Sequence, residues 1–221
     1  MKRVILLILR LIYGRFSYVF QQYGIGLKTR NLTRQKYFLP CAGLDALNHY
    51  KGAIQPPDKI SVFNTDKRID FQNNKFGITF RSLLRKNKRY SCYDITKYLD
   101  FYWQRLGYRE RVFNTGIRFI YHFIDKKFFF GEMFFSDATK VNVEQVAASL
   151  IKKYTNQMVS TTETFKIMAK NGFIFFENTG INLSIKYIDT TNDFINKALE
   201  TICDLNPSEN VIIKNNLEDL L

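Results

Sequence analysis

The stretch from Arg111 to Asp137 constrains the fold more than any other. Ile117, Phe119, Tyr121 and Phe123 alternate on one face, while Ile120, His122 and Ile124 lie on the other beside Arg118. Asp125-Lys126-Lys127 turns the chain, and Phe128-Phe129-Phe130-Gly131-Glu132-Met133-Phe134-Phe135 returns it. A strand apolar on one face sits at a wet surface; one apolar on both needs cover on both sides. The pattern therefore predicts a central hairpin buried from above and below.

The neighbouring segments follow from the same periods. Ile60–Phe63, Ile69–Phe71 and Phe76–Phe80 read as short strands, with Leu83 and Leu84 in a short basic helix. Asp94 is placed to cap a helix carrying Ile95, Leu99, Tyr102 and Leu106 on one face, with Gly107 as its stop. Asn142-Val-Glu-Gln145 has the spacing of a capping box, opening a helix through Tyr154. Phe165, Ile167 and Ala169 alternate up to Asn171-Gly172, the strongest hairpin signal in the chain. Phe173–Glu177 follows. Then Ile181, Leu183, Ile185 and Tyr187 face inward, and Asn182, Ser184 and Lys186 outward. A helix after Thr190 carries Phe194, Ile195, Ala198, Leu199 and Ile202 inward and closes at Pro207, before a weaker helix over 211–221.

These elements predict an α+β fold, an antiparallel sheet of hairpins and a β-meander with helices packed mainly on one face. A hairpin–helix unit recurs over about 112–154 and 165–203, with a weaker copy at 60–87. Gln55-Pro56-Pro57-Asp58 marks a boundary. Residues 1–54 then form a basic extension with a short apolar helix, and 55–221 a single domain.

Charge is unevenly placed. The chain carries a formal +13 over 221 residues. Residues 1–40 hold no Asp or Glu and contribute +8, residues 81–111 contribute +6, and the remainder is −1. A localised positive field attracts phosphates. Met1-Lys2-Arg3 and Val4–Leu9 have the order of a signal peptide, but Arg10 interrupts the apolar run and no small-residue cleavage site follows. The run is also far short of the roughly 20 apolar residues that span a bilayer. A short helix with snorkelling Arg10 and Arg15 fits an anionic membrane surface, a first core helix or a transit sequence.

No phosphate loop, nucleophile elbow or zinc-helix motif occurs. Cys41, Cys92 and Cys203 are widely spaced, which predicts three free thiols and a reducing compartment, cytoplasmic or membrane-associated. Cys203 falls on an apolar stripe. Cys92 lies among Lys88, Arg89 and Lys97, and His49 or His122 would have to activate it. Glu132 stands in a strand of Phe and Met, where a carboxylate is rim-exposed, paired with a base or desolvated. A turn pairing Asp125 with Phe128 places it opposite Tyr121, away from His122. No metal site and no cofactor are predicted.

The sequence thus predicts a non-enzymatic basic interaction protein whose partner is an anionic membrane surface or a protein. Attachment is expected through Lys2, Arg3, Leu6, Leu9, Arg10 and Arg15. The alternative is a nucleic-acid-binding module in which Arg81, Arg85, Lys88, Arg89, Arg105 and Arg109 share a face beside Trp103, with phosphate contacts and stacking.

Overall fold

The computed structural model describes residues 46–55, 60–86, 90–98, 101–112, 115–135 and 138–204, apart from the side chains of Val112 and Asp204. The N-terminal attachment residues, Cys41, Lys88, Arg89, Pro207 and the helix expected at 211–221 lie outside them.

Helices α1 (Ala46–Ile54), α2 (Phe80–Lys86), α3 (Val143–Thr155) and α4 (Asp193–Asp204) accompany one eight-stranded sheet. Its strands are β1 (Ser61–Asn64), β2 (Cys92–Tyr98), β3 (Phe101–Val112), β4 (Thr115–Ile124), β5 (Lys127–Phe135), β6 (Phe165–Ala169), β7 (Gly172–Asn178) and β8 (Leu183–Asp189). The order across the sheet is β1-β6-β7-β8-β5-β4-β3-β2. β2 to β5 form one antiparallel meander and β6 to β8 another; β5 and β8 join them, and only β1 pairs parallel, with β6. The fold is α+β with a mostly antiparallel sheet, and the Phe-rich hairpin β4–β5 sits inside it.

The sheet has two apolar faces. On the first, Phe119, Tyr121, Phe123, Ile174, Phe176 and Ile185 meet Phe80 and Leu83 of α2 and Ala147, Leu150 and Ile151 of α3. On the second, Trp103, Ile124, Phe130, Phe175 and Ile188 meet Leu47 and Tyr50 of α1 and Ile195, Leu199 and Ile202 of α4. Helices on mainly one face were expected; they lie on both. The two-sided apolar pattern of β4 and β5 requires that cover, because a bare apolar sheet face would keep its surface in water. α1 begins inside the stretch read as an extension, yet Ala46, Leu47, Tyr50 and Ala53 are buried.

Local signals account for several elements. The Asn142 side chain caps α3 by accepting from Gln145 N, and Asn156, in the left-handed region, ends it. Gly172 follows Asn171 at φ +144°, and a Cβ there would lie 2.0 Å from the carbonyl oxygen of Ile188, so only glycine fits the turn.

Other expectations are corrected. Residues 94–98 and 101–106 are not helical. They form β2 and β3, paired Asp94↔Arg105 and Ile95↔Gln104. The helical spacing of Ile95, Leu99, Tyr102 and Leu106 lost to β-branched and aromatic residues that pack on a pleated surface, and to the long partner edge of β4. Ile69–Phe71 and Phe76–Phe80 contribute only isolated bridges, Phe71↔Asn74 and Thr79↔Lys127. β8 has no wet face, since Ser184 and Lys186 are buried between β7 and β5. Phe194 and Ile181 are exposed. Cys92 is disulfide-bonded and Cys203 is not, so the expected three thiols are not found. A disulfide persists in oxidising surroundings, which removes the ground for expecting a reducing compartment. No helix among the described residues is long and apolar enough to cross a membrane.

Candidate functional site

A bulge in β5 builds the polar centre of the second face. Phe123 pairs with Phe128, but the register then shifts and His122 pairs with Phe130. Phe129 is the extra residue. Without it, Glu132 would oppose Phe119 and point into the first apolar face; with it, Glu132 opposes Ile120 and shares a face with His122. The diagonal pair then meets, His122 Nε2 to Glu132 Oε2, at 3.0 Å.

The chain of hydrogen bonds continues in both directions. Trp103 Nε1 donates to His122 Nδ1 at 3.0 Å. An indole N–H only donates, so His122 Nδ1 carries a lone pair and its proton sits on Nε2, donating to Glu132. Glu132 Oε1 accepts from His49 Nδ1, on α1, at 2.8 Å. Both histidines of the sequence therefore converge on one carboxylate. Phe130 stacks on the His122 ring at 4.3 Å.

Burial decides the charges. His122 is pushed below the ordinary histidine value, chiefly by burial, with the bond to Glu132 opposing. Burial pushes Glu132 up, but hydrogen bonds from His122 and His49 outweigh it and hold the carboxyl well below its usual range. The centre is thus an anion held by two N–H donors, one from a neutral ring. Both oxygens of Glu132 and both nitrogens of His122 are committed. The His49 side chain is 29% exposed, and its Nε2 has no partner among the described residues. This centre clamps α1 to the sheet.

Two further charged groups share the face. Lys186, opposite Glu132 on β8, donates to Glu177 Oε2 at 2.8 Å, and Ser184 donates to the same oxygen. Arg105 makes a fork with its cross-strand neighbour Asp94, both bonds at 2.6 Å. Farther along, Arg109 of β3 stands directly opposite Arg118 of β4, and Arg111 opposite Gly116. Arg109, Arg111 and Arg118 have no carboxylate partner among the described residues. Arg118 lies 4.6 Å over the Phe134 ring. Burial and then the Arg109 charge lower its pKa, while Glu132 opposes.

The expected polyanion residues do not assemble as one patch. Arg81 and Arg85 are exposed on α2, which packs on the first face; Arg105 and Arg109 belong to the second. Trp103 is 1% exposed and forms part of the core beneath α1. Its burial follows from the strand that replaced the expected helix. The sequence reading weighs His49 only as a base for Cys92 and gives Arg118 no role. It separates His122 from Glu132 by pairing Asp125 with Phe128, where the structure pairs Ile124 with Lys127 and then shifts register at a bulge that leaves no mark in a run of three Phe. The carboxylate in an apolar strand was the usable signal. Among the described residues no group of three or more His, Cys, Asp or Glu is arranged to hold a metal ion. No family model, curated protein or solved structure matches the chain.

Proposed function

We propose that this is a non-enzymatic basic interaction protein that engages an anionic partner, with a membrane surface as the leading case. The observation that carries this reading is the set of arginines on β3 and β4, Arg109, Arg111 and Arg118, which have no carboxylate partner among the described residues, in a chain of net charge +13. For cations on a sheet the backbone is already ordered when they meet an anionic surface, where each near-surface Lys or Arg contributes about 1 kcal/mol. The acid-free N-terminus supports the same reading, with Lys2, Arg3, Leu6, Leu9, Arg10 and Arg15 as its attachment residues. The histidine–glutamate centre supports it from another side, because both oxygens of Glu132 and both nitrogens of His122 are spent on bonds to Trp103, to His49 of α1 and to each other.

The nucleic-acid alternative uses the same charges, but Trp103 lies in the core and is not placed to stack on a base. The test is flotation of the full chain, and of a chain lacking residues 1–16, with vesicles of phosphatidylcholine alone and with added phosphatidylglycerol. Flotation is expected only with the anionic lipid and should weaken on truncation. Flotation with neither vesicle, or equally with both, would overturn the reading.

A further inference from the structure

In an antiparallel sheet, directly opposed side chains stand about 4.5–5.5 Å apart at Cβ, and like charges so placed repel. Arg109 and Arg118 occupy such a pair. The carboxylate near them on this face, Glu132, is already bonded at both oxygens, to His49 and His122. Glu110 lies on the opposite face of β3, paired with Ile117. Asp94 is engaged by Arg105. Arg109 and Arg118 are therefore cross-strand neighbours of like charge, and neither has a carboxylate partner among the described residues. Arg118 is half-buried and set on the Phe134 ring, which limits its orientations, while Arg109 and Arg111 are exposed. Gly116, opposite Arg111, presents no side chain to the gap.

We propose that Arg109 and Arg118, with Arg111 at the rim, form a binding site for a phosphate group. The proposal rests on the reading of the protein as a partner of anions and names the site and the ligand chemistry. A phosphate offers several acceptor oxygens to the planar N–H forks of two arginines, and its charge cancels the repulsion that the register imposes. The phosphate arrives either as the free ion or on a lipid headgroup.

The experiment compares wild type with Arg109→Gln and Arg118→Gln, using Lys152→Gln, on the far side of the sheet, as a control for the loss of one charge. Thermal melts are followed with inorganic phosphate, and binding with phosphatidylcholine vesicles with and without phosphatidic acid. Without phosphate, both arginine variants should melt at or above the wild-type temperature, because each removes one of two repelling charges. Phosphate should raise the melting point of wild type and Lys152→Gln and leave the arginine variants unmoved, which assigns the free ion. Binding only to phosphatidic acid vesicles, weakened about tenfold or more in either arginine variant, assigns the headgroup. Wild type and both arginine variants binding the vesicles alike would overturn the site and leave the functional reading standing. Wild type responding to neither probe would overturn both.

Discussion

Glu132 accepts hydrogen bonds from two histidines, and the buried pair it forms with His122 should make stability depend on pH. The folded pKa of His122 is depressed, so the unfolded chain takes up its proton more readily. Its contribution is complete above the usual histidine value of about 6.5 and is lost as pH falls below it. Glu132 is likewise depressed, and its contribution is lost as pH falls through and below the ordinary carboxylate range, about 4.3. Both groups act in one direction. Denaturant midpoints measured between pH 7 and pH 4 should therefore fall steadily, beginning near 6.5; a flat profile would show that His122 is not held neutral. Trp103→Phe removes the donor to His122 Nδ1 and leaves a buried acceptor alone, which costs about 1–3 kcal/mol. The same change frees Nδ1 for a proton. Nitrogen chemical shifts of His122 should then show its titration moving upward, where wild type stays in the Nε2–H form at neutral pH.

Among the elements, β4 and β5 were legible because two-sided alternation has one physical solution, a covered central hairpin. α3 was legible from its cap, and the β6–β7 turn from Asn171-Gly172. β2 and β3 were not. Over Asp94–Leu106 the apolar residues satisfy a helical period, and the strand outcome was decided by pairing with β4, a contact absent from the local sequence. The bulge at Phe129 was hidden for a similar reason: three consecutive Phe look the same in either register. Without that shift the candidate centre does not exist, and a turn that pairs Asp125 with Phe128 sets His122 and Glu132 on different faces as well. Gly131, next along β5, marks how closely the first face is packed. A Cβ there would lie 2.5 Å from the Phe71 ring, and Phe71 is fully buried. Gly131→Ala should destabilise by about 1–3 kcal/mol. Pairing it with Phe71→Leu should recover part of the loss in a double-mutant cycle. Additive losses would mean that the two residues do not press on each other.

For the whole molecule, α1 is packed into the second apolar face, and its removal has a predictable cost. A chain started at residue 55 would lose the buried side chains of Leu47 and Tyr50 and the His49 bond to Glu132. Burial of one such apolar side chain is worth about 1.5–3 kcal/mol, a large share of a domain's margin. That truncated chain should melt well below the full one; equal melting points would show that α1 is dispensable. Alkylation in denaturant without reductant should label Cys203 and spare Cys92, and labelling of both would contradict the disulfide. The charge pattern was legible as a total and a location, but not which arginines are spent on partners, since that depends on register. Binding of the full chain to anionic vesicles, titrated against salt, tests the proposed function most directly. Screening shortens to about 3 Å at 1 M, so an interaction carried by exposed arginines should be strong at low salt and largely gone at that concentration. Binding that is absent at low salt, or that survives high salt unchanged, would contradict an electrostatic partner surface.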